Sequence, residues 1–152
     1  MFGNADPNAG ITLCASDKAG CNCQAKALKS ATKTYAARLK LYNKCTKLLL
    51  KHQPAIGPAD LAFCLNADGK AKIAKTVTKL GGSITKKCVT VTPPFAAGQC
   101  SGLNGDALRD CLNVRTRCGV CLTVQASDSL FGDLDCEFYD DGLANASCQN
   151  DF

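Results

Sequence analysis

The residues with chemistry to offer in this chain are twelve cysteines, a single histidine and a cluster of carboxylates near the C-terminus. Cys118 and Cys121 stand in Cys-x-x-Cys spacing, the arrangement in which oxidoreductases set a reactive thiolate beside its resolving partner. That motif usually opens a helix after a strand. Nothing strand-like precedes residue 118, so structural bridges are the expectation for both sulfurs. A four-cysteine zinc site needs two close pairs, and Cys21-x-Cys23 makes a poor second one. Asp133, Asp135 and Glu137 at alternate positions, followed by Asp140 and Asp141, form an oxygen-rich pattern that suits Ca²⁺. An EF-hand loop starting at Asp133 would carry glycine at its sixth place and glutamate at its twelfth, where Phe138 and Ala144 stand. The five carboxylates are therefore a weak calcium candidate, and a solvated acidic loop is the plainer reading.

His52 sits before Gln53 and Pro54, where a helix must end, and reads as a cation near a helix C-terminus. A Ser-His-Asp or Cys-His arrangement has no other imidazole to use as its base. The expectation is a non-enzymatic protein with no catalytic residue, no cofactor and no resident metal.

Cysteines that do no chemistry are braces, and their spacing constrains the elements they join. Cys21 and Cys45 lie 24 residues apart, as do Cys64 and Cys88. Each interval spans about 36 Å if helical, at about 1.5 Å per residue. Folding the two antiparallel brings Cys45 to Cys64 and Cys88 to Cys21, with Cys23 competing for the second rung. Cys111, Cys118 and Cys121 fall on one side of a helix at i, i+7 and i+10 and are expected to reach three different partners. The remaining connectivity does not follow from sequence.

The elements follow from periodicity and breakers. Residues 1–19, rich in Gly, Asn, Pro and Asp, read as an extended arm; residues 1–10 lack the basic and apolar regions of a signal peptide, so a mature or engineered N-terminus is expected. From Cys23 to about Lys51 a long helix is predicted, with Leu28, Tyr35, Tyr42 and Leu49 inward and Ala25, Thr32, Leu39 and Thr46 in a second row beside them. Lys26, Lys33, Lys40 and Lys47 fall on its solvent side. Pro54 ends this helix, and Pro58 opens a short one through Phe63 and Cys64. After a turn at residues 66–69, a second long helix runs from about Lys70 to Val89, with Ile73, Val77, Leu80, Ile84 and Cys88 on one face. Gly81-Gly82 inside it marks a bend or a close helix contact. A third long helix is predicted from Asp106 to Gln125, Ser127 to Tyr139 reads as a short helix or irregular turns, and a loop-rich tail from Asp140 to Phe152 follows, held by Cys148. The fold expected is all-α: a disulfide-stapled helical bundle built on a long antiparallel hairpin (20–90) plus a third helix in an acidic region (100–152), in one domain over 1–152.

Charge is divided along the chain. Residues 18–87 carry fourteen Lys and Arg38 against Asp60 and Asp68, net +13, whereas residues 100–152 carry three Arg against eight Asp and Glu137, net −6. The halves should attract, within a chain or between chains. Nucleic acid is not expected as the partner, because aromatics are sparse and arginine nearly absent in the basic half. No apolar run approaches 18 residues, so no membrane-spanning helix is expected. So many cysteines in a chain this short point to an oxidising compartment, outside the cell or periplasmic.

The segments CQAKALK (23–29), RLK (38–40), KIAK (72–75), ITKKC (84–88) and DDGLANASC (140–148) resemble a group of uncharacterised secreted, Lys/Ala- and Cys-rich helical proteins of Gram-negative bacteria. The likeness covers residues 21–148. It implies an exported helical protein and supplies no activity. The function expected is that of an extracellular structural or interaction protein, in its fuller form a disulfide-stabilised filament or surface-layer subunit that self-associates through the basic 18–87 and acidic 100–152 regions. The alternative is a small carrier of apolar ligands such as lipid, with its site between helices.

Overall fold

The structure, a computed structural model, describes residues 14–52, 58–89, 100, 102–127, 136 and 148. Among these residues there are four helices: α1 (Lys18–His52), α2 (Pro58–Ala67), α3 (Lys72–Lys87) and α4 (Gly105–Ser127). The fold is the expected all-α, disulfide-stapled bundle. At 35 residues α1 is about 52 Å long, and α2 and α3 together form its return limb.

α1 starts at Lys18, five residues before the predicted onset. The Asp17 carboxylate accepts the amide of Gly20 at 2.8 Å, and its carbonyl accepts the Cys21 amide at 3.0 Å. An aspartate in that place satisfies helix-end amides that would otherwise lack a partner. The last part of the expected extended arm is therefore turn (Cys14–Ser16) and helix; residues 1–13 lie outside the described residues.

Its buried row also differs from the predicted stripe. Cys23, Ala27, Ala31, Thr34, Arg38, Tyr42 and Cys45 face inward, while Leu28, Tyr35, Leu39 and Leu49 are half-buried and Ala25 and Thr32 exposed. A strict seven-residue repeat drifts about 20° per heptad around a straight helix, so the large residues at 28 and 35 slide off the core side. What replaces them is small. Ala27 and Ala31 let α3 come close, with Leu80 and Ile84 filling the space opposite.

The return limb is broken at Asp68–Ala71. Asp68 accepts the amides of Lys72 (3.0 Å), Ile73 (3.0 Å) and Ala74 (3.1 Å), anchoring the first turn of α3. Asp68 and Ala71 both have positive φ, 28° and 49°. This sharp turn lets α2 lie against the end of α1 while α3 runs back along its first half. The 24 residues from Cys64 to Cys88 are thus the end of one helix, a turn beside the one expected at 66–69, and a second helix.

α4 runs in the same direction as α1. Its first half joins Cys23, Ala27, Ala31, Leu80 and Ile84 through Leu108 and Leu112. Its second half joins Tyr42, Cys45, Leu61 and Leu65 through Val120 and Val124. Close approach is bought by glycine in two places. A Cβ on Gly81 would stand 3.1 Å from the Arg109 stem, and one on Gly119 would stand 3.2 Å from the Tyr35 ring. Gly81, the first of the Gly81-Gly82 pair, therefore serves contact with a neighbouring helix, and α3 continues through both.

All twelve cysteines are paired. Cys45 pairs with Cys64 (Cα–Cα 5.8 Å), the rung placed there by the spacing. The other rung is Cys23–Cys88 (Cα–Cα 5.0 Å), not Cys21–Cys88; Cys21 bonds to Cys14. The reason is helix phase. Two residues turn a helix by about 200°, so Cys23, fully buried, faces the end of α3 while Cys21 faces the turn before α1. Cys111, Cys118 and Cys121 reach three separate partners, Cys100, Cys148 and Cys136.

Candidate functional site

A lysine-lined groove lies between α1 and α3. All fourteen lysines of residues 18–87 are exposed, as their side of each helix requires. Where α1 and α3 lie side by side, their outer edges bound an open groove of about 520 Å³. Lys26 and Lys33 line it from α1, and Lys79, Lys86 and Lys87 from α3. Hydroxyls complete the lining: Ser30 donates to Ser83 across the helix pair at 2.9 Å, with Thr76 and Thr78 nearby. Gly82 presents open space at the rim.

The seven-residue intervals Lys26–Lys33 and Lys79–Lys86 each place two ammonium groups about 10.5 Å apart along their helix. The helices are antiparallel, so the two rows face each other. Such an array suits an extended anion carrying several charges. Arg109 forms ion pairs with Asp106 (2.7 Å) and Asp110 (2.8 Å), away from the lysines of the groove. The Asp110 carboxyl lies below its ordinary range chiefly because Arg109 hydrogen-bonds it. Asp68 is engaged in capping α3.

A second open groove, of about 480 Å³, lies along the end of α1, lined by Tyr42, Thr46, Leu50, Lys47 and Lys51 among others.

The chemistry-bearing residues singled out in the sequence fall elsewhere. Cys118 and Cys121 are 0% and 1% exposed and bonded to different partners, so neither is the other's resolving thiol. His52 is the last residue of α1. The calcium candidates Asp133, Asp135, Glu137, Asp140 and Asp141 lie outside the described residues. Among the described residues, no group of three or more His, Cys, Asp or Glu is placed to hold a metal ion, and no helix is long and apolar enough to cross a membrane.

Sequence reasoning missed Arg38 as an interior residue. It is 3% exposed, its Nε donating to Thr116 Oγ1 at 3.3 Å and its Nη2 to Asn113 Oδ1 at 2.6 Å, which ties α1 to α4. The signal was available: residue 38 falls on the same side of the helix as Ala31 and Cys45.

No family model, no curated protein and no solved structure matches this chain. The class of protein is therefore given by the fold itself, a helical bundle whose disulfides are those of non-cytoplasmic proteins.

Proposed function

We propose that this chain is a non-enzymatic interaction protein of the cell exterior that assembles with copies of itself through unlike charged surfaces. The observation that carries this reading is the exposure of all fourteen lysines on the helical hairpin in a chain whose other half is acidic. A head-to-tail contact between unlike patches repeats along an open polymer when its rotation does not close, which is the geometry of a filament or surface layer. Six bridges suit a subunit exposed to proteases and load. The carrier alternative gains nothing from the two described grooves, both open and flanked by lysine.

Light scattering on the oxidised protein tests the proposal. Particle mass should rise with concentration at low ionic strength and return to that of one chain near 0.5 M salt, where the screening length falls to a few ångströms. A particle of constant single-chain mass across both ranges would end it.

A further inference from the structure

We infer that the groove between α1 and α3 is the docking site in this assembly, and that its occupant is the acidic segment 133–141 of a second copy. The inference rests on the self-association reading and gives it an address. Five ammonium groups, on Lys26, Lys33, Lys79, Lys86 and Lys87, converge on the groove, and the Ser30–Ser83 pair lies between their rows. The segment supplies five carboxylates in nine residues, Asp133, Asp135, Glu137, Asp140 and Asp141. The charges are complementary.

A chain is poorly placed to fill its own groove. The acidic segment is tied to its own bundle by Cys136–Cys121, and the stretch beyond it by Cys148–Cys118. Those four cysteines belong to the cluster around Tyr42, Cys45 and Leu61, at the α2 end of the molecule. The groove borders the other cluster, that of Ala27, Ala31 and Leu80. Along α1 the distance from Tyr42 to Ser30 is about 18 Å. The groove also opens away from α4: Gly81 meets Arg109 of α4, while Thr76 and Ser83, on the opposite side of α3, line the groove. The eleven residues 137–147, held at both ends, reach outward by about 18 Å, half their contour, before any detour around the helix pair. A neighbour's segment meets no such restriction.

The test uses the full oxidised chain in two triple variants with equal charge change. Lys33→Glu/Lys79→Glu/Lys86→Glu alters the groove. Lys40→Glu/Lys44→Glu/Lys47→Glu alters exposed lysines of the same basic half outside it. Circular dichroism and the mass of the fully bridged chain confirm that each folds, as expected for exposed positions. By sedimentation at low salt, the groove variant should associate at least tenfold more weakly than wild type, and the outer variant within about threefold of it. Mixing the groove variant with Asp133→Lys/Asp135→Lys/Glu137→Lys should restore a complex that neither forms alone. Equal weakening by both lysine sets, or full association of the groove variant, would overturn the groove as the address while leaving self-assembly standing. A wild-type chain that stays monomeric would overturn both. If that monomer binds heparin or duplex DNA and the groove variant does not, the groove belongs to a polyanionic partner and the second-copy assignment fails.

Discussion

The hairpin of residues 14–88 and the region of residues 100–148 are braced by the same bond type in the same nested pattern, yet no bridge joins them. Cys45–Cys64 lies inside Cys23–Cys88, and Cys121–Cys136 lies inside Cys118–Cys148. Cys14–Cys21 and Cys100–Cys111 stay within their own sides. Between the regions the described contacts are noncovalent: Leu80 and Ile84 pack against Leu108 and Leu112, Tyr35 lies over Gly119, and Arg38 hydrogen-bonds to α4. Covalent bonds thus define each region, and side-chain fit defines how they meet. The two stabilities should respond to different perturbations.

The largest effect comes from removing the outer brace of the hairpin. Cys23→Ala/Cys88→Ala opens a bridge with sequence separation 65 and should cost about 4 kcal/mol by the chain-entropy relation, against about 3 kcal/mol for Cys45→Ala/Cys64→Ala with separation 19. Urea denaturation of the two double variants checks the order. If the inner pair proves the costlier, loop length does not set the cost of these bridges.

Next comes the seam. Asn113→Leu removes an acceptor from the buried guanidinium of Arg38 and should cost about 1.5–3 kcal/mol, with every disulfide intact. Hydrogen exchange should show the loss of protection concentrated where α4 meets α1. Uniform loss along α1 would mean that the seam and the hairpin open as one unit.

A smaller change of opposite sign tests the hairpin's turn. Ala71 holds φ 49°, ψ 32°, left-handed backbone that a side chain disfavours by about 1 kcal/mol. Ala71→Gly should therefore raise the melting temperature by a few degrees at most, since glycine also loses more entropy on folding.

The smallest effect is electrostatic and confined to the acidic region. Arg109 holds the Asp110 carboxyl below its ordinary value of 3.8. A carboxyl depressed in the folded state contributes stability above its unfolded pKa and loses it as pH falls toward the folded one. Asp110→Asn should flatten the acid limb of the stability curve slightly below about pH 4 and change nothing at pH 7 beyond a few tenths of a kcal/mol, because the pair is solvent-exposed.

Much of this architecture was legible in sequence because it rests on local signals. Pro54 and Pro58, the turn at Asp68, and the apolar spacing of Ile73, Leu80 and Ile84 fix the helices within a few residues. The Cys45–Cys64 rung follows from counting. The Cys23–Cys88 rung does not, because choosing between sulfurs two residues apart requires knowing which side of α1 is inward. That side was obscured by Leu28 and Tyr35, whose size suggested burial that Ala27 and Ala31 provide instead. Arg38 was hidden by its type, counted as surface charge although its position is interior. The groove was invisible for a different reason. Lys33 and Lys79 are 46 residues apart, and their meeting depends on the antiparallel return of α3.

The absence of any sulfur bond between the hairpin and the following region, among six that account for every cysteine, sets how the molecule answers a protease. A nick within 24–87 or 119–147 leaves its two products covalently attached, and a non-reducing gel would report an intact species. A nick within 89–99 is spanned by no bridge, so it splits the polypeptide into two separately cross-linked pieces. Those pieces would part in denaturant without reductant, and they could be supplied as two purified fragments to find their fit again.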